Sequence, residues 1–311
     1  MPEAVPDRDD EPRRVVVAGA SGLIGSALVE SLRADGIRVT TLVRRAAESD
    51  DEVEWLADST PLDPAVLEGA TAVVGLNGAT IGRFPWTQRY KSTLLWSRIT
   101  PTRALARAVR ELGDAAPAFV SASAVGYYGS VRGALLTEES PRGDTFLADL
   151  CGEWEGAALA AGDRTRVALL RTAPIVDARG ALGPLMLLTR LGLGGPIGSG
   201  TQKLPWISLV DQVRGIRHII DSELEGPVNL VGPTLASAND LGFALAVRLN
   251  RPFVVRAPEW ALTLVLGRDA TASLVAADAA AVPLVLQESG FTFIHETVES
   301  ALDAALDAAQ D

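Results

Sequence analysis

The stretch VVVAGASGLIGSALVESL, residues 15–32, joins a buried-type strand, three glycines and a helical pattern. A strand that runs into Gly19, Gly22 and Gly25 and then into a helix is typical of a dinucleotide-binding turn. The first glycine permits the tight turn, the second lets the backbone approach a pyrophosphate, and the third allows close helix packing. Glycines that serve packing alone are the alternative. The residues of this turn that are predicted to bind the cofactor are Gly19, Ser21, Gly22, Leu23, Ile24 and Gly25.

From Arg14 onward, short β-rich runs alternate with helical runs, which indicates βαβ units and a parallel sheet. The sequence therefore predicts an α/β fold with a Rossmann-like, doubly wound parallel sheet. Helices are expected over 22–34, 145–161 and about 87–113, the last with a kink or break at Pro101. The predicted strands are 15–19, 39–43, 52–56, 71–76, 118–123 and 166–171.

After Arg171 the sequence becomes richer in glycine, and its predicted helices and strands become shorter. We expect a flexible tail over 1–12, a dinucleotide-binding domain over 13–171, and a smaller, discontinuous substrate lobe. That lobe is predicted to consist of 172–207 and 232–311, while 208–231 returns to the main sheet as a helix and a strand.

Composition narrows the classes of partner. The chain has 311 residues and a formal net charge of −11, which disfavours nucleic acid and anionic membranes as partners. Cys151 is the single cysteine, and the two histidines are His218 and His295, so neither an internal disulfide nor a metal site is predicted. Residues 1–12 lack the pattern of a signal peptide, and a cytoplasmic location is expected.

Several blocks of sequence resemble one protein family. The spacing G-x-x-G-x-x-G is similar to that of the short-chain dehydrogenase/reductase superfamily. Three blocks extend the resemblance: GASGLIGSAL (19–28), SASAVGYYG (121–129) and RLGLGGPIGSGTQKLPWISLVD (190–211). The chain is identified as a member of the atypical extended group, the nucleoside-diphosphate-sugar epimerase-like or SDR39U1-type family with a DUF1731-like C-terminal region.

The end of the second predicted strand bears on the cofactor. Enzymes that prefer NAD carry an acidic residue there, whereas this chain has Val43 followed by Arg44 and Arg45. Guanidinium groups suit a 2′-phosphate, because arginine offers planar and permanently charged recognition. A solvated basic pair is the alternative, and the resemblance favours NADP(H).

The resemblance also implies a cofactor wall after the fourth strand, in GLNGAT (75–80). Gly78 and Ala79 match the family pattern there and are predicted to bring the backbone close to the cofactor. Trp55 and Asp58 either flank the adenine or serve as an ordinary core tryptophan and surface aspartate.

The resemblance implies a Ser–Tyr–Lys catalytic set, which this chain lacks in part. Ser123 occupies the serine place at the end of the fifth strand. Counting back from Glu155, which resembles the glutamate after the family's lysine, puts Leu147 and Cys151 in the tyrosine and lysine places. Leucine has no proton to transfer and a neutral thiol lacks the positive charge of lysine, so the standard mechanism is absent.

Other polar residues lie at the same predicted mouth. Tyr127 and Tyr128 follow the fifth strand, and with Ser123 they are the predicted catalytic residues, packing of an aromatic pair being the alternative. Lys91 and Arg98 are interpreted mainly as solvated charges on a helix. The histidine that the family often carries after Trp-Ile is Ser208 here, so an imidazole acid at that position is lost.

Two functions remain open at this stage. The first is an NADP(H)-binding oxidoreductase or epimerase-like protein that acts on an unidentified small molecule, and the second is a non-catalytic dinucleotide-binding regulator.

The loop GLGGPIGSGTQKLPW (192–206) offers backbone donors and Lys203 over the expected substrate cleft, or forms a flexible turn. A homodimer is compatible with either function.

Overall fold

The computed structural model describes residues 13–58, 60–180, 182–275 and 277–308, so the predicted tail over 1–12 lies outside the described residues. The strands are β1 (Arg14–Ala18), β2 (Arg38–Val43), β3 (Glu52–Glu54), β4 (Ala72–Gly75), β5 (Ala118–Ala124), β6 (Val131–Leu136), β7 (Val167–Thr172), β8 (Ile175–Val176), β9 (Lys203–Leu204), β10 (Ile207–Ser208), β11 (Gly226–Leu230), β12 (Ala236–Ser237) and β13 (Ala279–Ala281). The helices are α1 (Leu23–Ala34), α2 (Gln88–Leu112), α3 (Phe146–Leu159), α4 (Leu182–Arg190), α5 (Leu209–Asp221), α6 (Ala238–Arg248), α7 (Glu259–Leu266), α8 (Arg268–Ala270), α9 (Leu284–Glu288) and α10 (Val298–Asp307).

Within the described residues, the main sheet has seven strands in the order β11-β7-β5-β4-β1-β2-β3, and every neighbouring pair is parallel. The predicted α/β class with a doubly wound sheet is confirmed. Helices α1 and α5 cover one face and α2 and α3 the other. Because both faces are covered, Val15, Val16 and Val17 are fully buried, which explains the unbroken apolar run in β1.

Helix α2 differs from its prediction at Pro101. The 25-residue helix runs through this proline without a break, and Thr87 caps its N-terminus by accepting a hydrogen bond from the Tyr90 N–H at 3.2 Å. A proline in a helix interior removes one backbone hydrogen bond. The buried face of α2, which includes Leu94, Leu105 and Val109, holds the helix against the sheet despite that loss.

A second hydrophobic core lies between α4, α6 and α10, outside the main sheet. Strand β11, which follows α5, belongs to the main sheet and pairs with β7 at its edge. The glycine-rich loop also packs within the lobe, because the Gly194 carbonyl accepts hydrogen bonds from the N–H groups of Val254 (2.9 Å) and Val255 (3.0 Å). The glycines of this loop thus serve close backbone packing, and Lys203 lies in β9, paired with β12.

Candidate functional site

The three glycines of the β1–α1 turn have different structural causes. Gly19 has a φ of +86°, and a Cβ there would lie 2.8 Å from the Leu76 carbonyl carbon. A Cβ on Gly25 would overlap the Gly19 carbonyl oxygen. Gly22 is exposed, and a Cβ there would have only one neighbour, the Gly19 oxygen at 3.4 Å. The protein's own packing therefore requires Gly19 and Gly25, whereas Gly22 keeps open a space that faces outward.

The first turn of α1 borders this open space. Its N–H groups have no acceptor within the helix, and the turn contains no acidic residue, so it suits an anion. Ser21 is exposed, whereas Leu23 and Ile24 are half-buried and pack against the hydrophobic core. The arrangement fits the pyrophosphate of a dinucleotide.

The strand order locates the crevice in which such a ligand lies. Chain connections reverse direction between β1 and β4, and open parallel sheets bind ligands at this switch point. The segment after β4 forms the second wall: the Ala79 N–H donates to Ser97 Oγ at 2.9 Å, and its carbonyl accepts from Arg98 Nη2 at 3.1 Å. A Cβ on Gly78 would lie 3.0 Å from Arg98 Cζ. Helix α2 thus holds the backbone of Gly78 and Ala79 in place.

The interpretation of Arg98 as a solvated charge is wrong, because its side chain is buried. It donates to the Leu94 carbonyl at 2.9 Å and lies 5.1 Å from the Trp154 ring centroid. Burial lowers the pKa of Arg98, and no carboxylate pairs with it among the described residues. The helical spacing in the sequence could have predicted that Arg98 is buried. Arg98 follows Leu94 by four positions and precedes Leu105 by seven, which places it on the apolar face of α2.

At the end of β2 the two arginines are not equivalent. Arg44 is exposed and its guanidinium has no partner in the described part of the chain. Arg45 instead makes two hydrogen bonds to the Glu52 carboxylate, both at 2.7 Å, which raise the pKa of Arg45. Arg44 is therefore the guanidinium available to a phosphate beside Val43.

Trp55 and Asp58 lie after β3, next to the same end of the crevice. Trp55 is buried and its indole N–H has no acceptor in the described ranges. The Asp58 carboxylate accepts the Thr60 N–H at 2.7 Å, which lowers the pKa of Asp58. The aspartate thus stabilises its own turn.

Ser123 lies at the end of β5, beside a buried ion pair. Its hydroxyl donates to Glu155 Oε1 at 2.6 Å, and Glu155 in turn pairs with Arg171 through two hydrogen bonds of 2.9 Å. Burial alone would lower the pKa of Arg171, but its bonds and charge interactions with Glu155 and Tyr128 outweigh burial and raise it. Because the Ser123 proton is committed to Glu155, this geometry does not match the predicted role of Ser123 as a donor to a substrate carbonyl.

The two tyrosines have separate environments. Tyr128 is fully buried, so its predicted place at the mouth is wrong: its hydroxyl donates to Asn229 Oδ1 at 2.6 Å and accepts from Arg171 at 3.0 Å. Burial raises the pKa of Tyr128 to about 12. Tyr127 is half-buried, and the Arg171 guanidinium lies 3.6 Å from its ring centroid. The Tyr127 hydroxyl has no hydrogen-bond partner among the described residues, so it remains available to a ligand.

Apolar packing occupies the places of the missing catalytic pair. Leu147 and Cys151 are both buried in α3, and a Cβ on Gly126 would lie 3.1 Å from Leu147 Cβ. Burial and the Glu155 charge raise the pKa of the Cys151 thiol to about 12. The thiol is therefore neutral and unsuited to replace lysine.

The sequence matches the NAD dependent epimerase/dehydratase family over residues 15–231, and a domain of unknown function, DUF1731, over residues 257–305. The chain belongs to the epimerase/dehydratase family. The predicted family resemblance, including its C-terminal region, is confirmed.

Relatives from this family match over most of the chain. An epimerase family protein of Mycobacterium leprae is 39% identical over 294 residues, which cover 94% of this chain and 95% of the relative. The crystal structure of human epimerase family protein SDR39U1 with NADPH has a TM-score of 0.86 and 30% identity, covering 94% and 99% of the two chains. A nucleoside-diphosphate sugar epimerase from Corynebacterium glutamicum has a TM-score of 0.76 and 32% identity, covering 97% of this chain and 61% of its own.

The family's frequent histidine after Trp-Ile is Ser208 here, but an imidazole still reaches this position. His295, from the DUF1731 region, lies with its Nδ1 at 2.9 Å from Ser208 Oγ. Asp211 Oδ2 accepts the N–H of His295 at 2.9 Å, and its Oδ1 accepts the N–H of Ile294 at 2.8 Å. The Asp211 carboxylate thereby fastens the C-terminal region to α5.

Two kinds of feature are absent from the described residues. No helix among them combines the length and apolar character that a membrane crossing requires. Within the same ranges, no group of three or more His, Cys, Asp or Glu side chains is arranged to hold a metal ion.

Proposed function

We propose that this member of the epimerase/dehydratase family binds NADP(H) at the β1–α1 turn and acts as an oxidoreductase or epimerase-like enzyme on a small molecule. The open position at Gly22 carries the proposal, because nothing in the protein's own packing requires a glycine there. The NADPH in the human SDR39U1 crystal structure supports the same choice of cofactor. The unpartnered Arg44 supplies a cation for the 2′-phosphate.

A bound NADP(H) supplies or accepts a hydride, and the chain's own groups would handle the proton. The Tyr127 hydroxyl is accessible at the end of β5 and is suited to donate a hydrogen bond to a substrate oxygen. The Arg171 guanidinium on the ring face holds Tyr127 in position. Ser123 can accept a hydrogen bond, but its hydroxyl already donates one to Glu155.

A non-catalytic dinucleotide-binding regulator is the second candidate, favoured by the buried Leu147 and Cys151 in the places of the missing pair. Two measurements distinguish the enzyme from the regulator. Mass spectrometry identifies the molecules that the purified protein retains, and a panel of carbonyl compounds is then added to the protein with its cofactor bound. Oxidation of bound NADPH by a carbonyl compound supports the enzyme, whereas a cofactor that stays reduced across the panel supports the regulator.

We expect Arg44→Ala to weaken NADPH binding by about 1.5–3 kcal/mol, the scale of a charge-assisted hydrogen bond, while NADH binding stays nearly constant. Fluorescence titration of both cofactors measures the effect. Arg45→Ala is the matched control and should change NADPH affinity less, because Arg45 is bound to Glu52. Equal affinities of the native protein for NADPH and NADH would contradict the assignment.

For catalysis, Tyr127→Phe should slow single-turnover NADPH oxidation by roughly 10²–10³, the usual cost of removing one transition-state donor. Tyr128→Phe should instead lower stability, since it leaves Asn229 Oδ1 without its buried donor. Cys151→Ala should leave the rate unchanged. A rate that depends on Cys151 and not on Tyr127 would require a thiol mechanism in place of this one.

A further inference from the structure

Helix α7 is apolar over most of its length, yet none of its residues is buried within the described part of the chain. A helix that is apolar all round normally lies inside a protein or against a membrane. Trp260 is 73% exposed, and Leu264, one turn later, is 82% exposed. The described residues therefore leave the apolar surface of α7 uncovered.

A second exposed apolar surface lies where α4 packs against α6. At the end of α4, Leu187 and Leu191 are one turn apart and both are exposed. On α6, Phe243 and Val247 are also one turn apart and exposed. Each helix buries its other side in the core of the smaller lobe, so these four side chains form its outer surface.

The segment 251–257 joins this surface to α7. Arg251 Nε donates to the Arg190 carbonyl at 2.9 Å, and the Phe253 ring centroid lies 6.1 Å from that of Phe243. Between these anchors in the sequence, Val254 is 73% exposed. We call the exposed apolar residues of 187–193, 243–255 and 260–265 the apolar face. Exposed apolar surface that continues over several elements marks an interaction site.

Arginines accompany the apolar face. The ranges 182–193 and 243–268 contain five arginines and a single acidic residue, Glu259. Arg190, Arg251 and Arg256 are exposed, and none of the three has a carboxylate partner among the described residues. The chain as a whole has a formal net charge of −11, so the sign of this face is opposite to that of the whole chain. Its charge is complementary to an anionic partner.

The charge pattern argues against a second copy of this chain as the partner. In a two-fold symmetric contact the same face meets itself, which would bring Arg251 and Arg256 of both copies together. Like charges that face each other across a contact are unfavourable. An anionic partner meets no such repulsion.

The exposure of the side chains favours lipid over an acidic protein. Leu264, Trp260 and Val254 project so far from the surface that a protein partner would need a matching pocket for each of them. Acyl chains adapt to projecting side chains. Tryptophan and arginine are well suited to the boundary between headgroups and acyl chains, because each combines an apolar body with a polar end.

We propose that the apolar face binds the surface of a membrane that contains anionic lipids, with Trp260 and Leu264 inserted below the headgroups and the arginines on the lipid phosphates. The net charge disfavours such membranes for the chain as a whole, and the apolar face reverses that sign locally. The acidic remainder of the surface is repelled, which orients the bound protein. The proposal goes beyond the proposed function and does not depend on NADP(H).

Co-sedimentation with vesicles tests the proposal. Two kinds of vesicle are compared: phosphatidylcholine alone, and phosphatidylcholine with one-third phosphatidylserine. We expect binding at least about tenfold tighter to the vesicles with phosphatidylserine, because several arginines near an anionic surface each contribute. Binding should weaken as NaCl is raised to about 1 M, where screening is strong. Tryptophan emission should shift to shorter wavelengths on binding, and Trp260→Phe should remove most of that shift.

Two variants locate the contact on the apolar face. Leu264→Asp should weaken binding to the phosphatidylserine vesicles at least about tenfold, the scale of burying one leucine. Arg256→Glu should weaken it at least about fivefold. Leu159→Asp and Arg164→Glu are the matched controls, because both residues are exposed and lie before β7, at the opposite edge of the sheet from α4. Circular dichroism and thermal melting confirm the fold of each variant.

Three results would overturn the proposal. If the native protein does not bind phosphatidylserine vesicles at low ionic strength, an acidic protein is the partner that the face fits. Binding that survives both Leu264→Asp and Arg256→Glu would place the membrane contact elsewhere. A native dimer that Leu264→Asp converts to a monomer, measured by sedimentation velocity, would assign the face to a second copy of the chain.

Discussion

Replacing Gly22 with valine is expected to abolish NADP(H) binding while the protein stays folded. The added side chain would occupy the exposed space at the N-terminus of α1 and meet only the Gly19 oxygen, at a distance of ordinary contact. A side chain forced between backbone and pyrophosphate costs about 1–3 kcal/mol in overpacking and also removes charge-assisted hydrogen bonds. Cofactor affinity should therefore fall at least about 100-fold. Fluorescence titration measures the loss, and circular dichroism with thermal melting measures the fold.

Gly25→Val is the control for this experiment. A Cβ at position 25 would overlap the Gly19 carbonyl oxygen, so this variant should unfold or melt at a much lower temperature. The contrast between the two glycines separates ligand approach from helix packing. Normal NADPH affinity in folded Gly22→Val would show that the turn does not cradle the pyrophosphate.

Removal of the Glu155 carboxylate should cause a large loss of stability. Glu155→Ala leaves the Arg171 guanidinium buried without its partner, and breaking a buried pair in this way costs about 3–5 kcal/mol. The loss also frees the Ser123 hydroxyl and weakens the support of the Tyr127 ring. Urea unfolding followed by circular dichroism measures the change in the free energy of unfolding.

A double variant tests the physical cause of that loss. Glu155→Leu combined with Arg171→Met replaces both charges with apolar side chains, and it should be more stable than Glu155→Ala alone. Glu155→Gln keeps the shape of the side chain and should lie between the native protein and Glu155→Ala. If Glu155→Ala lowers the free energy of unfolding by less than about 1 kcal/mol, water or another group compensates the charge of Arg171.

The local pattern of the sequence predicts the framework of the fold well. The run through β1 into Gly19, Gly22 and Gly25 predicts the strand, the turn and α1, because each depends on residues only a few positions apart. The spacing of β-rich runs likewise predicts the parallel sheet. The resemblance adds Leu147 and Cys151 in the places of the catalytic pair, and both are buried in α3.

The errors concern contacts between residues distant in sequence. Tyr128 is buried, and its hydroxyl donates a hydrogen bond to Asn229, 101 positions later. Lys91 is paired because Asp269, 178 positions later, folds back over α2. Local spacing carries no information about either partner. The error at Arg98 has a different origin. The sequence places Arg98 on the apolar face of its helix, and only the charge of its side chain suggested that it is exposed to solvent.

The position of β11 bears on how the nascent chain folds as it leaves the ribosome. After β7 has been synthesised, roughly sixty more residues must be added before its outer neighbour β11 is complete. At 5–20 residues per second this takes about 3–12 s. During that interval β7 is an unprotected edge that can pair with another chain, and the Tyr128 hydroxyl lacks Asn229. A ribosome-bound chain that ends before β11 is therefore expected to be prone to pairing with other chains along β7.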